Sequence, residues 1–532
     1  MPNPSRRAIL QVGAALGAMP FTKGWPAKAM SSATRYSVFS PEGKKALASY
    51  ANAVAAMVQL SEKDPTDPLG WIYQYKIHGF PENGYDILVD EAIPLEQRLE
   101  RLDKAKEAEL DKYFGPAANG NVKRAHAAAI WGKCPHSDGV SFAADFFPWH
   151  RMYLFFFERI VRKLSGDDQL ALPYWGYMDG ASSQILPPEF AAALPNPLAH
   201  GRSPNINNGN AMNARWFAGD FWAEPKQFEP FGNSAENAPH NPVHIELGTP
   251  PSQNVSDRFD MADPFRSPRD PIFWLHHCEI DRIWEGGRHA GFPVPEGVWL
   301  SQTHHFFDEN RNFVELTNAD VLNSEQIKNW PGYKYDRLPA PPAQIVAISM
   351  DQSSERTERR TIAPQTTARR TLATAFDVKL RSGLHTTRLA PTAAITDAER
   401  TMESARTTGG RRTISMEVSD VTLSQGAVAN VGLYLNAPAG ASGEQLEKFF
   451  VGTVSTFSLL PEGIAMDHGT HEAKERPPKF VFNVTRLVDD LEKQGLWSGE
   501  PKLTTKEIVG SLGGATLKLG NVKLVETTAE LP

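Results

Sequence analysis

The chain has 532 residues, a formal charge of −7 and two cysteines; at roughly 150 residues per domain, that length suggests about three or four domain-sized units. Its acidic balance argues against a nucleic-acid partner held by bulk charge, and two cysteines exclude a disulfide scaffold or a zinc ribbon. No run beyond the N-terminus approaches the ~18 apolar residues of a membrane span, so none is expected.

At the start, Ser5-Arg6-Arg7-Ala8-Ile9-Leu10 precedes a weakly apolar stretch and then Ala27-Lys28-Ala29. These are the charged, apolar and small-residue parts of an export signal, and the paired arginines predict a twin-arginine signal over 1–29. The expected location is therefore periplasmic or secreted. From 36 to 340 the chain is rich in aromatics and helix-period segments, and most of its histidines lie there. Pro41 to Leu60 reads as a helix capped by Ser40, with Leu47, Tyr50, Val54 and Met57 on one face. Pro94 to Tyr113 is charged and predicts a solvated helix or insert. Arg151 to Leu164 is apolar nearly all round, as a helix buried in a bundle should be.

Composition changes at Pro339-Ala340-Pro341-Pro342. Residues 341–412 read as a linker and the start of a second domain, Thr- and Arg-rich, with arginine pairs better explained by solvated strands than by an anion-docking site. Over 413–532 the period turns toward two, with strands expected at Thr413–Val418, Val428–Asn436, Phe449–Leu459, Lys479–Val484 and Thr516–Val525, and a short helix at Thr485–Gln494. That pattern predicts a jelly-roll-like β-sandwich.

Three groups of residues could hold metal. His240 and His244 are four apart, so a helix returns both imidazoles to one face, and Pro242 suits its first turn. Asn241 stands where a zinc protease needs Glu, which disfavours hydrolytic zinc. A second group runs from Asp270 through His276 and His277 to Asp281. Adjacent helical residues diverge by about 100°, so one histidine of the pair should share the first pair's metal. Asp281 could accept a hydrogen bond from an imidazole. A third group places His150 in an oily helix, where its ring nitrogens must be satisfied; His78 and Cys134-Pro135-His136 lie upstream. Imidazole sets of this kind suit copper best among the common metals.

FFPWHRMYLFFFER (146–159), DPIFWLHHCEID (270–281) and Glu236-Asn237-Ala238-Pro239-His240 to His244 together resemble the tyrosinase, catechol oxidase and plant polyphenol oxidase family. The resemblance covers roughly 70–340. It implies a mainly α fold, a four-helix bundle with long loops that holds two copper ions, CuA and CuB, with dioxygen as co-substrate. CuB would be held by His240, His244 and His277, with His276 as a neighbour, and CuA by His78, His150 and a third histidine. The family places that third ligand nine residues before His150, where this chain has Ser141. His136 is favoured in its stead, with His126 as rival, and Cys134 is a candidate for a thioether to His136. Glu236 and Asn241 resemble the pair that positions a water as base in monophenol-active members. Gly332-Tyr333-Lys334-Tyr335-Asp336 resembles the linker motif before a shielding C-terminal domain.

The implied activity is that of a tyrosinase acting on small phenols, yielding o-quinones. Catechol oxidase or o-aminophenol oxidase, a hemocyanin-like oxygen binder and a copper-deficient pseudo-enzyme stand as alternatives. A copper chaperone is a candidate partner, and the oligomeric state is left open.

Overall fold

The computed structural model describes residues 33–90, 92–117, 121–135, 145–191, 195–223, 228–339, 341, 367–392, 411–457, 459, 479–497 and 500–529. The export-signal reading over 1–29 and the ligand candidate His136 lie outside them. The fold is helix-rich in its first part and a β-sandwich in its second.

Helix α1 (Pro41–Lys63) starts where Ser40 Oγ accepts a hydrogen bond from the Gly43 amide at 3.0 Å. Helix α2 (Trp71–His78) is short and almost wholly buried. The charged stretch forms α3 (Leu95–Phe114), followed by α4 (Val122–Ile130). Although α3 is largely exposed, its Glu109 pairs with Lys76, a fully buried lysine on α2. With Arg98 donating to Leu88 O at 2.7 Å and Leu102 and Leu110 in apolar clusters, the insert is tied to the core rather than merely solvated. Helix α5 (Phe146–Ser165) is buried on nearly every face, and α6 (Asn241–Gly248) and α7 (Ile272–His289) complete the interior. Asp270 Oδ1 accepts from the Ile272 amide at 3.0 Å and starts α7. Phe157 of α5 stacks on Trp274 of α7 with ring centroids 3.3 Å apart. Helices α2, α5, α6 and α7 form the four-helix core expected around the histidines.

Strand β1 (Ala33–Arg35) pairs in parallel with β2 (Tyr333–Tyr335), tying the two ends of the helical part together. Arg35 and Arg151 then converge on Asp281 of α7, at 3.5 and 2.6 Å, where the hydroxyls of Tyr333 and Tyr335 also donate at 2.6 Å.

The second part contains β3 (Thr367–Leu380), β4 (His385–Arg388), β5 (Ala390–Pro391), β6 (Arg411–Leu423), β7 (Val428–Leu435), β8 (Phe450–Ser455), β9 (Phe480–Asn483), helix α8 (Thr485–Lys493), β10 (Lys502–Ser511) and β11 (Leu517–Ala529). Two antiparallel sheets, β9-β6-β11-β3-β5 and β8-β7-β10-β4, enclose one apolar core. Two of the paired arginines serve this sandwich: Arg370 and Arg412, from the strands flanking β11, both bind its buried Glu526, at 2.7 and 3.0 Å. The pair Arg359-Arg360 lies outside the described residues.

Candidate metal centre

Each of the four central helices delivers histidine to one interior spot. His78 ends α2, His150 lies in the first turns of α5, His244 lies on α6 with His240 just ahead of it, and His276 and His277 lie on α7. One donor atom from each of His240, His244, His276 and His277 lies within 4.8 Å of the others, and the same holds for His78, Cys134 and His150. The two clusters meet where His150 and His277 stack, with ring centroids 4.4 Å apart and planes 11° from parallel.

Backbone carbonyls orient the rings. His150 Nδ1 lies 2.7 Å from Phe146 O, one helical turn back, His244 Nδ1 lies 2.9 Å from Met261 O, and His78 Nδ1 lies 2.9 Å from Pro264 O. Donation from Nδ1 fixes the tautomer whose Nε2 carries the lone pair a metal needs. His240 is oriented instead by its neighbour, Asn241 Oδ1, at 2.8 Å. Desolvation pushes His150 down to about 3 and His277 well below the usual histidine range. These two imidazoles therefore stay neutral and able to ligate at ordinary pH.

Several expectations change. His126 lies outside the centre: its ring stacks on Phe313 at 4.0 Å, and it belongs to neither donor cluster. Asp281 orients no imidazole, because its oxygens are taken by the arginines and tyrosines already described. His276 comes closer than the 100° divergence implied, joining the His240 cluster while Tyr177 OH meets its Nδ1 at 3.1 Å. Cys134 Sγ sits 3.4 Å from His150 Nε2, and burial raises its thiol well above the usual range. Glu236 is fully buried in the turn that leads into His240.

A residue from the second part completes the site. Phe457, just after β8, stacks on His244 with centroids 4.0 Å apart and planes at 13°, and meets His240 edge-on at 5.8 Å. Asn430 of β7 donates to Pro242 O at 3.2 Å, between His240 and His244. Nothing in the local sequence marks Phe457, because its role depends on how the sandwich docks.

The donor set fits a metal pair. Both ring nitrogens of His277 and Nε2 of His276 are buried with no hydrogen-bond partner among the described residues, and ligation would satisfy one nitrogen of each ring. Imidazoles in two adjoining groups suit copper.

Comparison with known proteins agrees. The common central domain of tyrosinase matches residues 106–215 and 195–286, and the polyphenol oxidase middle domain matches 296–345. These segments thus match the tyrosinase and polyphenol oxidase class of proteins. Within that class, polyphenol oxidase E, chloroplastic, of Solanum lycopersicum is 30% identical over 263 residues, 42% of this chain and 43% of that protein. Catechol oxidase B, chloroplastic, of Solanum tuberosum is 30% identical over 240 residues, 38% of this chain and 39% of that protein. The matches thus span about two fifths of those relatives' length.

Solved structures share the fold over nearly the whole chain. Latent aurone synthase (polyphenol oxidase) aligns with a TM-score of 0.56 and 18% identity over 98% of this chain and 96% of that one. Latent apple tyrosinase aligns at 0.55 and 19% over 93% and 98%. The expectation of twin-arginine export to a periplasmic or secreted location is corrected by these findings, since the matched relatives are chloroplastic plant enzymes. Among the described residues no helix is long and apolar enough to cross a membrane.

Proposed function

We propose that the chain is a copper-dependent phenol oxidase of the tyrosinase type, which ortho-hydroxylates monophenols and oxidises o-diphenols to o-quinones. The observation that carries this reading is the pair of buried donor clusters, in contact through His150 and His277, whose members other than His78 lie within the segments that match the tyrosinase central domain. A copper pair bound there supplies the electrons that reduce dioxygen.

The chain's own residues hold, orient and protect. His240, His244 and His277 would hold CuB. His78, His150 and His136 would hold CuA, with Cys134 joined to His136 as a thioether. Carbonyl acceptors fix the tautomers of His78, His150 and His244, and burial excludes water. A phenol with pKa near ~10 must lose its proton before hydroxylation. Glu236 and Asn241 flank His240 and would position a water as the base, which supports tyrosinase over an oxidase restricted to diphenols or o-aminophenols.

The sandwich domain would keep the enzyme latent, with Phe457 lying where a substrate ring would stack on the His244 imidazole. The same cover supports a second reading, a hemocyanin-like oxygen binder that turns over no phenol. One experiment separates the readings: count copper in the full chain, then follow quinone absorbance with tyrosine, catechol and o-aminophenol before and after proteolysis beyond about residue 345. The proposal expects two ions per chain and activity that rises on cleavage. Two ions with no turnover of any phenol would establish the oxygen binder, and fewer than two would sink the dicopper reading.

A further inference from the structure

The segment between α6 and α7 touches both halves of the centre at once. It leaves α6 with the Phe259 amide donating to Gly248 O at 3.0 Å. Met261 O then receives Nδ1 of His244, and three residues later Pro264 O receives Nδ1 of His78, each at 2.9 Å. Two carbonyls of one short stretch thus orient one imidazole from each cluster.

Both ligand helices press on this strap through glycine. A Cβ at Gly79, the residue after His78, would fall 2.2 Å from Phe265 Cα; one at Gly248, a turn past His244, would fall 2.1 Å from Ala262 N. No side chain fits at either crossing, so the strap backbone lies directly against both helix ends.

Its own shape is fixed by Asp263, which is fully buried. The carboxylate accepts from Arg258 Nε at 3.1 Å, Arg258 Nη2 at 2.6 Å, Arg266 Nε at 2.8 Å and the Phe265 amide at 2.9 Å. Its backbone carbonyl takes the Arg266 and Ser267 amides at 2.9 and 2.8 Å. Asp260 adds a bond to His200 at 3.0 Å. So many charged partners within one buried connection favour a single arrangement, because moving the fully buried Asp263 carboxylate away from them strands its charge.

We propose that Asp263 is a positioning residue for both metal sites, acting through the strap carbonyls Met261 O and Pro264 O on His244 and His78 together. This rests on the dicopper reading. Losing the acceptor that orients a ligating imidazole typically weakens metal binding by about 10–100-fold, so a displaced strap should weaken two sites rather than one.

The test uses the full chain, stripped of metal and titrated with chelator-buffered Cu(I), in the wild type and in Asp263→Asn, Asp263→Ala and Gly248→Ala. Asn241→Ala, which removes an acceptor from His240 alone, is the one-sided comparison. Both copper affinities are expected to fall by about 10–100-fold in Asp263→Ala, less in the isosteric Asn variant, while Asn241→Ala lowers only one. If Asp263→Ala does not fold, Gly248→Ala, which pushes the strap from the α6 side, must still lower both. Two ions in the wild type with only one affinity lowered in the strap variants overturns the proposal alone. So does a lower Tm with both affinities intact. A wild type that takes fewer than two ions overturns the dicopper reading and this proposal together.

Discussion

At the scale of single residues, burial decides protonation. His150 stands on a helix that is otherwise oily, and desolvation holds it down at about 3, against an ordinary value near ~6.5. Below about pH 6.5 the unfolded chain takes up a proton that the folded chain refuses, so stability present above that pH is lost as it falls toward about 3. The Tm of the copper-free protein should drop across that window, and His150→Phe should make the drop shallower; identical slopes would refute the assignment. Asp145, just before α5, behaves oppositely: burial lifts it to about 6 although Asn318 Nδ2 donates to it at 2.8 Å. Its contribution is fully present below about pH 3.9 and lost as pH rises toward about 6. Asp145→Asn keeps an acceptor for Asn318 and removes the buried charge, so it should raise Tm at pH 7, and a lower Tm there would count against it.

At the scale of elements, α7 does two jobs on successive turns. One turn carries His276 and His277. The next carries Asp281, which joins Arg35 of β1, Arg151 of α5 and the tyrosines of β2. Sequence spacing put Asp281 one turn past His277, which made it an attractive partner for the ring. Spacing could not show that two buried arginines from distant segments need that carboxylate more. Asp281→Ala would leave Arg35 with Glu158 and Arg151 with Glu285 as their remaining carboxylates, and should destabilise the fold by up to about 3–5 kcal/mol, read from urea unfolding. A loss under about 1 kcal/mol would mean that water or another acid takes its place. The charged helix α3 teaches the same lesson, since its pattern correctly announces an exposed surface yet conceals that Glu109 reaches the buried Lys76.

For the whole molecule, the sandwich and the helical part share an interface centred on the metal site. Phe457 caps His244, and Val428 and Phe457 pack in one apolar cluster with Ile245 and Ala262. Farther out, Arg215 pairs with Glu447, donates to Tyr434 OH at 3.1 Å and lies 4.6 Å over the Phe450 ring. Phe457→Ala should raise turnover of bulky phenols by the intact chain, while Arg215→Ala should lower the urea concentration at which activity appears. Unchanged activity in the first variant would show that access is blocked elsewhere. An unchanged urea threshold in the second would show that the Arg215 contacts do not hold the domains together.

The strands of the sandwich were legible wherever alternation was strong, as in β6, β7 and β11. Strands β3 and β10 escaped because their inward positions include small or polar residues, Ala373 and Ala375 in one, Thr504 and Thr505 in the other. By itself the sequence singled out the histidines that meet in the centre, because His240 and His244 at helical spacing and histidines set in otherwise apolar segments are a local property. It also determined the order of a helical part followed by a β-rich part. Only the tertiary structure decided which groups orient those histidines, what Asp281 serves and which aromatic ring covers the site. Each of those depends on contacts between residues far apart in the chain, and hydrogen-bond geometry and packing choose among such partners without leaving a periodic trace.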